Sequence, residues 1–177
     1  SLEGMFLFGA VALIASYLQR VFAVSPSIAG TVTALFGLGG LVYAVNARRL
    51  LGRLRSAGLA RAGGGCFAAA MLLLIALPGW QPAILATLMA GLGYYMLHNT
   101  LQNQATQLST EARGAALAWF ASGLWLGQGI GVSLAAIAAE RFGFHAVFAV
   151  SGLGLVVIGL AFGRAVARRE AGVSSSM

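Results

Sequence analysis

The side chains best suited to hold a ligand share one face of a single predicted helix in the second half of the chain. Tyr94, His98 and Gln102 follow one another at four-residue steps, and Tyr95 and Asn99 form an adjoining row. Hydroxyl, imidazole and amide groups donate and accept hydrogen bonds, and histidine also changes charge near neutral pH. This face could therefore bind a polar ligand or pass a proton. It could also simply bond neighbouring helices.

A weaker set of candidates lies elsewhere. Tyr17 stands near the end of the first predicted helix, and Trp125 and Gln128 stand in the fifth. Tyrosine and tryptophan combine a large apolar ring with a polar edge, which suits an amphipathic ligand. We therefore add these three residues to the predicted ligand contacts. No catalytic residue is predicted.

The fifth helix also carries glycines at four-residue spacing. Gly123, Gly127 and Gly131 form one narrow stripe, which predicts close packing against another helix. Residues 30–36 match residues 114–120 at their glycine, alanine and phenylalanine positions. These segments begin the second and fifth predicted helices, so the match favours a three-plus-three inverted repeat.

The predicted helices are apolar enough to cross a membrane. Hydrophobic residues make up 59% of the chain and charged residues 8%, against about 25% charged residues in soluble proteins. A helical span needs about 20 apolar residues. The sequence predicts an all-α membrane protein with a six-helix bundle over residues 1–165 and a polar, disordered cytoplasmic tail over residues 166–177. The six predicted helices cover residues 4–24, 27–46, 62–77, 82–104, 114–139 and 143–163.

Arginines are distributed unequally between the two sides of this predicted bundle. Nine of the eleven fall in gaps that share one face, and only Arg20 and Arg141 fall in the others. Short cytoplasmic loops carry the Lys/Arg excess, which predicts a multi-pass protein of the bacterial inner membrane with both termini in the cytoplasm. Because the net charge of +7 sits beside apolar spans, it indicates contact with lipid headgroups and argues against nucleic-acid binding. The largest cluster, the predicted cytoplasmic basic loop, contains Arg48, Arg49, Arg53 and Arg55.

Acidic and metal-binding side chains are few. The four glutamates are interpreted as loop or span-edge residues: Glu3, Glu111, Glu140 and Glu170. On this interpretation no buried carboxylate accompanies His98. Cys66 is the single cysteine, and the chain has only two histidines. We therefore predict no metal site and no cofactor.

Several short segments together resemble one known family. The resemblance rests on Glu3-Gly4-Met5-Phe6-Leu7-Phe8-Gly9, Ser25-Pro26-Ser27-Ile28-Ala29-Gly30, Tyr94-Tyr95-Met96-Leu97-His98-Asn99-Thr100-Leu101-Gln102 and Glu111-Ala112-Arg113-Gly114 followed by Phe120 and Gly127-Gln128-Gly129. In this order and spacing they are similar to the C-terminal half of a major facilitator superfamily transporter, closest to the bacterial drug and sugar efflux branch. About 165 residues take part in the resemblance.

The resemblance implies a fold and a function. The six spans would be helices seven to twelve of a twelve-helix secondary-active exporter, and the first and fourth spans would line its cavity. Its partners would be the bilayer, a small-molecule substrate and an N-terminal six-helix half. The basic loop departs from the family's cytoplasmic motif: Gly52 and Arg53 fit its Gly-Arg pair, but Arg49 stands in place of Asp and Val45 in place of the first Gly.

Two other readings stay open at this point. The chain could be a self-contained six-helix carrier that homodimerises. It could also be an intramembrane serine protease with Ser122 as nucleophile and His145 as base, although Phe120 occupies a position where the protease motif requires glycine.

Overall fold

The structure is entirely helical over the residues that it describes. This computed structural model describes residues 1–76, 78–107 and 112–174, with side chains to Arg169. Some predictions concern Leu77, Glu111 and the tail residues 175–177, which lie outside the described residues. Five helices follow one another: α1 Leu2–Phe22, α2 Pro26–Ile75, α3 Ala83–Thr106, α4 Arg113–Phe142 and α5 Phe144–Ser174. The start of α2 shows why the chain forms helices at these places. The side chain of Ser25 accepts a hydrogen bond from the backbone of Ile28, and Pro26 occupies a first-turn position that needs no N–H donor.

Helix α2 is 50 residues long but is interrupted once, at Arg55, whose φ of 56° lies in the left-handed region. The backbone of Phe36 contacts Gly91 of α3, and the backbone of Gly63 contacts Gly93 two residues further along. Segments on both sides of the interruption therefore flank the same turns of α3. A straight helix of this length would extend about 75 Å, more than twice the thickness of a bilayer core. We conclude that α2 folds back on itself at Arg55.

Two predicted boundaries were wrong. Five helices are present where six were predicted, because residues 47–61, predicted as a basic loop, are helical on either side of Arg55. Arg48, Arg49 and Arg53 are accordingly exposed residues of a helix. In addition, α5 continues to Ser174 into the segment predicted as a disordered tail. Alanine, leucine and arginine have high helix propensity, so both polar segments extend the helices beside them.

Four of the five helices are long and apolar enough to cross a membrane: α1, α2, α4 and residues 144–169 of α5. Helix α3 has sufficient length at 24 residues, but its row of tyrosine, histidine and amide side chains lowers its hydropathy. Its buried side nevertheless packs against both segments of α2, while Leu85 near its start is 55% exposed.

Small residues allow the helices to approach closely. The backbone of Gly9 in α1 lies against Gly131 and Ala135 of α4, and the backbone of Gly64 in α2 lies against Leu155 of α5. Large apolar side chains such as Leu72 instead point outward, 64% exposed. Small residues inside and large ones outside are typical of helix bundles in lipid, where the solvent is as apolar as the core.

The two ends of the bundle differ in charge. Arg61 donates a hydrogen bond to the backbone oxygen of Gly163 at 3.4 Å, which brings the fold in α2 beside the arginines of α5. Ser1 packs against Gly127, at the middle of α4. The opposite end holds an exposed ion pair between Arg20 and Glu140 at 2.6 Å. The arginine-rich segments therefore gather at one end of the bundle.

The close approach of α2 and α3 gives a test of the packing. A Cβ at Gly93 would collide with the backbone of α2, whereas one at Gly65 would meet open space. We expect Gly93→Ala to lower the free energy of unfolding by about 1–3 kcal/mol, measured by chemical denaturation in detergent. Gly65→Ala is the matched control and should be neutral or stabilising by up to about 1 kcal/mol, because alanine favours the helix. Equal effects of the two substitutions would contradict the described contact.

Candidate ligand-binding site

The polar face of α3 points into the bundle. Tyr94 is buried at 6% exposure, and Tyr95, His98, Asn99 and Gln102 are all partly buried. Polar side chains in a membrane protein avoid lipid because an unpaired polar group in hydrocarbon costs several kcal/mol. The structure thus places the five predicted residues of α3 on one side of the helix, away from the surrounding lipid.

Aromatic rings surround this face. The ring of Tyr94 lies 5.6 Å from Phe36 of α2 in a stacked geometry and 5.9 Å from Phe8 of α1 in an edge geometry. It also meets Tyr95 at 4.9 Å and His98 at 4.8 Å. These centroid separations are the ones that aromatic pairs favour. The cluster fixes the rotamer of Tyr94 between three helices.

Gly40 gives Tyr95 room beside α2. An added Cβ at Gly40 would overlap the Tyr95 ring, so the ring lies directly on the bare backbone of α2. Asn99, one turn further, donates a hydrogen bond from its amide nitrogen to the Tyr95 carbonyl at 2.9 Å. One of its two N–H donors is thereby used within α3. The rest of the Asn99 amide adds polar surface to this face.

His98 has a carboxylate partner, contrary to the sequence analysis. Glu3 was interpreted as a span-edge residue, but its side chain is only 6% exposed and both carboxylate oxygens lie 3.3 Å from His98 Nδ1. The hydrogen bond joins Nδ1 and Oε2, and it connects the first turn of α1 to α3. Phe120 of α4 covers the other side of the imidazole, with the ring centroids 5.4 Å apart. The prediction that no buried carboxylate accompanies His98 was therefore wrong.

The position of Glu3 along its predicted helix could have identified it as a partner of His98 from the sequence. It opens the first apolar block, and His98 lies towards the far end of an antiparallel block, so both residues stand in the same half of the bundle. What the pattern could not supply is the rotation of α1, which decides whether Glu3 faces lipid, water or α3. Nothing in the sequence assigned Phe8, Phe36 and Phe120 to this site, because phenylalanine is ordinary in an apolar helix.

Gln128 and the glycine stripe of α4 lie against the start of α1. Gly127 contacts the backbone of Ser1, Gly131 contacts Met5, and Gln128 meets the backbone of Gly4. The Gln128 side-chain oxygen Oε1 is buried without a hydrogen-bond partner. Gly123, at the beginning of the stripe, approaches only the terminal nitrogen of Ser1, at 3.7 Å from an added Cβ. Most of the stripe is thus occupied by a helix crossing.

Two predicted ligand contacts lie apart from this cluster. Trp125 is 64% exposed on the outside of α4. Tyr17 is buried at the opposite end of α1, where its hydroxyl donates to the Leu74 carbonyl at 2.9 Å and lies 3.3 Å from His145 Nε2. The Tyr17 ring is enclosed by other aromatic residues, so it acts in packing of the arginine-poor end. The structure does not bring Trp125 or Tyr17 together with Tyr94 and His98.

The position of His145 also removes the protease reading. His145 contacts Tyr17 near the end of α4 that carries Glu140, whereas Ser122 precedes Glu140 by 18 residues of the same helix. That separation corresponds to about 27 Å along the axis. A histidine acts as general base for a serine only within hydrogen-bond reach. Ser122 and His145 therefore do not form a catalytic pair.

A surface pocket of about 340 Å³ between α1, α4 and α5 is lined mostly by apolar residues, including Phe6, Leu134 and Val150. Its walls contain none of the polar side chains of α3. Within residues 1–76, 78–107 and 112–174, no three His, Cys, Asp or Glu side chains converge as a metal site would require.

Comparison with known proteins identifies a family. The model of the Major Facilitator Superfamily matches residues 2–176, almost the whole chain. The chain has no match among the curated proteins or among the solved structures.

The contact between α1 and α3 can be tested by a double-mutant cycle. Glu3→Gln and His98→Gln should each lower the free energy of unfolding, and their combination should cost less than the sum, because each single change leaves a buried partner unpaired. Coupling between contacting residues is about 0.5–3 kcal/mol. The control cycle uses Arg20→Gln and Glu140→Gln, an exposed pair for which about 0.2–1 kcal/mol is expected. Additive effects of the Glu3 and His98 substitutions would refute the pairing.

Proposed function

The chain belongs to the Major Facilitator Superfamily, a family of membrane transporters, and we propose that it exports a small molecule by secondary-active transport. In the proposed mechanism, alternating access moves this bundle against a second one around a shared midplane site. The observation that carries the proposal is the inward polar and aromatic face of α3 within an otherwise apolar bundle. Polar side chains at membrane depth mark substrate and ion pathways.

The proposed partner is an N-terminal six-helix half of the same transporter. Two features support this part of the proposal. The fold of α2 at Arg55 makes six helical segments out of five helices, which is the number in one half of such a transporter. Large apolar side chains on α2 and α4, such as Val45 and Leu126, are also more than half exposed and could be covered by a second bundle or by lipid. A second copy of this chain is the alternative partner.

The proposed ligand contacts are the predicted residues Tyr94, Tyr95, His98, Asn99, Gln102 and Gln128, joined now by Glu3. Glu3 and His98 face each other across α1 and α3, the two helices that the family resemblance assigns to the cavity. Tyr94 and Tyr95 supply apolar area with polar hydroxyls, and Asn99 and Gln102 supply amides. Together they suit a ligand with an apolar body and one polar or charged group.

The proposed location is the bacterial inner membrane with both termini in the cytoplasm. The arginine-rich segments gather at one end of the bundle, and arginine-rich ends stay in the cytoplasm. The opposite end would face outward. It holds the Tyr17 cluster and the Arg20–Glu140 ion pair.

Transport by the natural full-length protein in proteoliposomes tests the site. We expect Tyr95→Ala and Asn99→Ala to lower the transport rate about tenfold or more, equivalent to about 1.4 kcal/mol of lost binding, because both side chains form the inward face of α3. Leu72→Ala, which changes an outward-facing side chain, is the control and should transport normally. Unchanged rates and affinities in the two α3 variants, at equal protein levels, would refute the assigned contacts.

The proposed orientation is tested by cysteine labelling in intact cells. In a Cys66→Ser background, Gln81→Cys should react with a membrane-impermeant maleimide from outside. Arg53→Cys should react only after permeabilisation, because it lies beside the fold in α2 at the arginine-rich end. Both positions are exposed in the structure, so reactivity reports sidedness. The reverse pattern would place the termini outside.

A further inference from the structure

The carboxylate of Glu3 is the least expected charge in the bundle. It is buried to 6% exposure and, among the residues that the structure describes, His98 is the one basic group in contact with it. Arg20 and Arg61 are engaged elsewhere, Arg20 with Glu140 and Arg61 with the Gly163 carbonyl. An ionised carboxylate in a low-dielectric interior requires a positive counter-charge or hydrogen-bond donors. Glu3 therefore forms a site that attracts cations.

Two acceptor atoms at this place lack a hydrogen bond. Glu3 Oε1 and Gln128 Oε1 are both buried without a hydrogen-bond partner, although Glu3 Oε1 lies within ion-pair distance of His98 Nδ1, at 3.3 Å. The backbone of Gly4, the residue after Glu3, packs on α4 at Gln128, so the two acceptors stand on contacting turns of α1 and α4. Buried polar atoms in folded proteins nearly always have partners, and those that do not call for an explanation. Two buried acceptors without partners can form hydrogen bonds only with a group that donates them.

Aromatic side chains adjoin the same place. Phe120 and Tyr94 both lie beside the His98 ring, at 5.4 and 4.8 Å between centroids. The faces of aromatic rings carry negative potential and attract ammonium groups, and their area accommodates the apolar body of a ligand. A carboxylate, two free acceptors and aromatic faces are together complementary to a protonated amine with an apolar substituent.

We propose that Glu3, Gln128 and the aromatic rings beside His98 form a recognition site for the ammonium group of an apolar organic amine. This inference rests on the transport function proposed above, and it names the chemical class of the substrate. The ammonium group donates to Glu3 Oε1 and to Gln128 Oε1, and it brings a positive charge to the carboxylate. A neutral or anionic analogue leaves these acceptors unsatisfied.

Three compounds with one carbon skeleton test the charge preference. Binding of 4-phenylbutylamine, 4-phenylbutan-1-ol and 4-phenylbutyrate to the purified full-length protein is measured by titration calorimetry at neutral pH. We expect the amine to bind at least tenfold more tightly than the alcohol, and the acid to bind most weakly, because hydrogen bonds to charged groups are the stronger ones. Alcohol or acid binding equal to that of the amine would overturn the proposal, and so would an amine that does not bind.

Substitutions test whether the preference for the amine arises at Glu3 and Gln128. Glu3→Gln keeps the shape of the side chain and removes its charge, and it should weaken amine binding at least tenfold while leaving alcohol binding unchanged. Glu140→Gln is the matched control, since that carboxylate is exposed and paired with Arg20; amine binding should not change. If Glu3→Gln does not fold, Gln128→Met provides the second variant and should weaken amine binding severalfold. Full amine affinity in every variant that folds would overturn the assignment.

Transport measurements separate this inference from the proposed function. Glu3-dependent amine binding without amine movement in proteoliposomes would leave the recognition site intact and refute transport. Movement of the alcohol or the acid without any binding of the amine would leave transport intact and refute the cationic substrate class. Glu3-dependent binding and movement of the amine would support both.

Discussion

The charge of Glu3 must be compensated inside an apolar bundle, and this requirement connects the features around it. A carboxylate that faced lipid would cost several kcal/mol, so α1 must be rotated to present Glu3 to the interior. There it meets His98 at 3.3 Å, which sets α1 and α3 in one relative position. The imidazole in turn lies between Tyr94 and Phe120, which extends the contact to α4. One polar contact thereby involves three helices.

Close helix packing makes this polar interior possible. Lipid provides no hydrophobic drive to assemble helices, so association depends on contact area and on small residues that permit it. Gly63 and Gly93 bring α2 onto α3, and Gly40 gives the Tyr95 ring a flat surface. Substituting any of these glycines by a residue with a side chain would push α3 outward and expose its polar face to lipid. The glycines therefore serve the site although none of them is part of it.

The two ends of α1 are held by different kinds of contact. At the arginine-poor end, Tyr17 is enclosed by aromatic rings and bonded to the Leu74 carbonyl, which gives a dense apolar junction between α1, α2 and α5. At the other end α1 is linked to α3 by the contact of Glu3 with His98 and by the edge contact of Phe8 with Tyr94. Binding of an ammonium group at Glu3, as proposed, thus acts where α1 meets α3 through a polar contact.

Local patterns in the sequence determined the class of the protein and the polar face of α3. Composition alone requires a membrane environment, and the helical period alone places Tyr94, His98 and Gln102 on one side, because both depend only on residues close in sequence. The tertiary structure decided the rest: that α2 folds at a single residue, Arg55, that Glu3 faces His98, and that Trp125 and Tyr17 lie elsewhere. These outcomes depend on how each helix is rotated and which neighbour it meets. The period of a helix fixes which side chains share a face but carries no information about the helix that the face will contact.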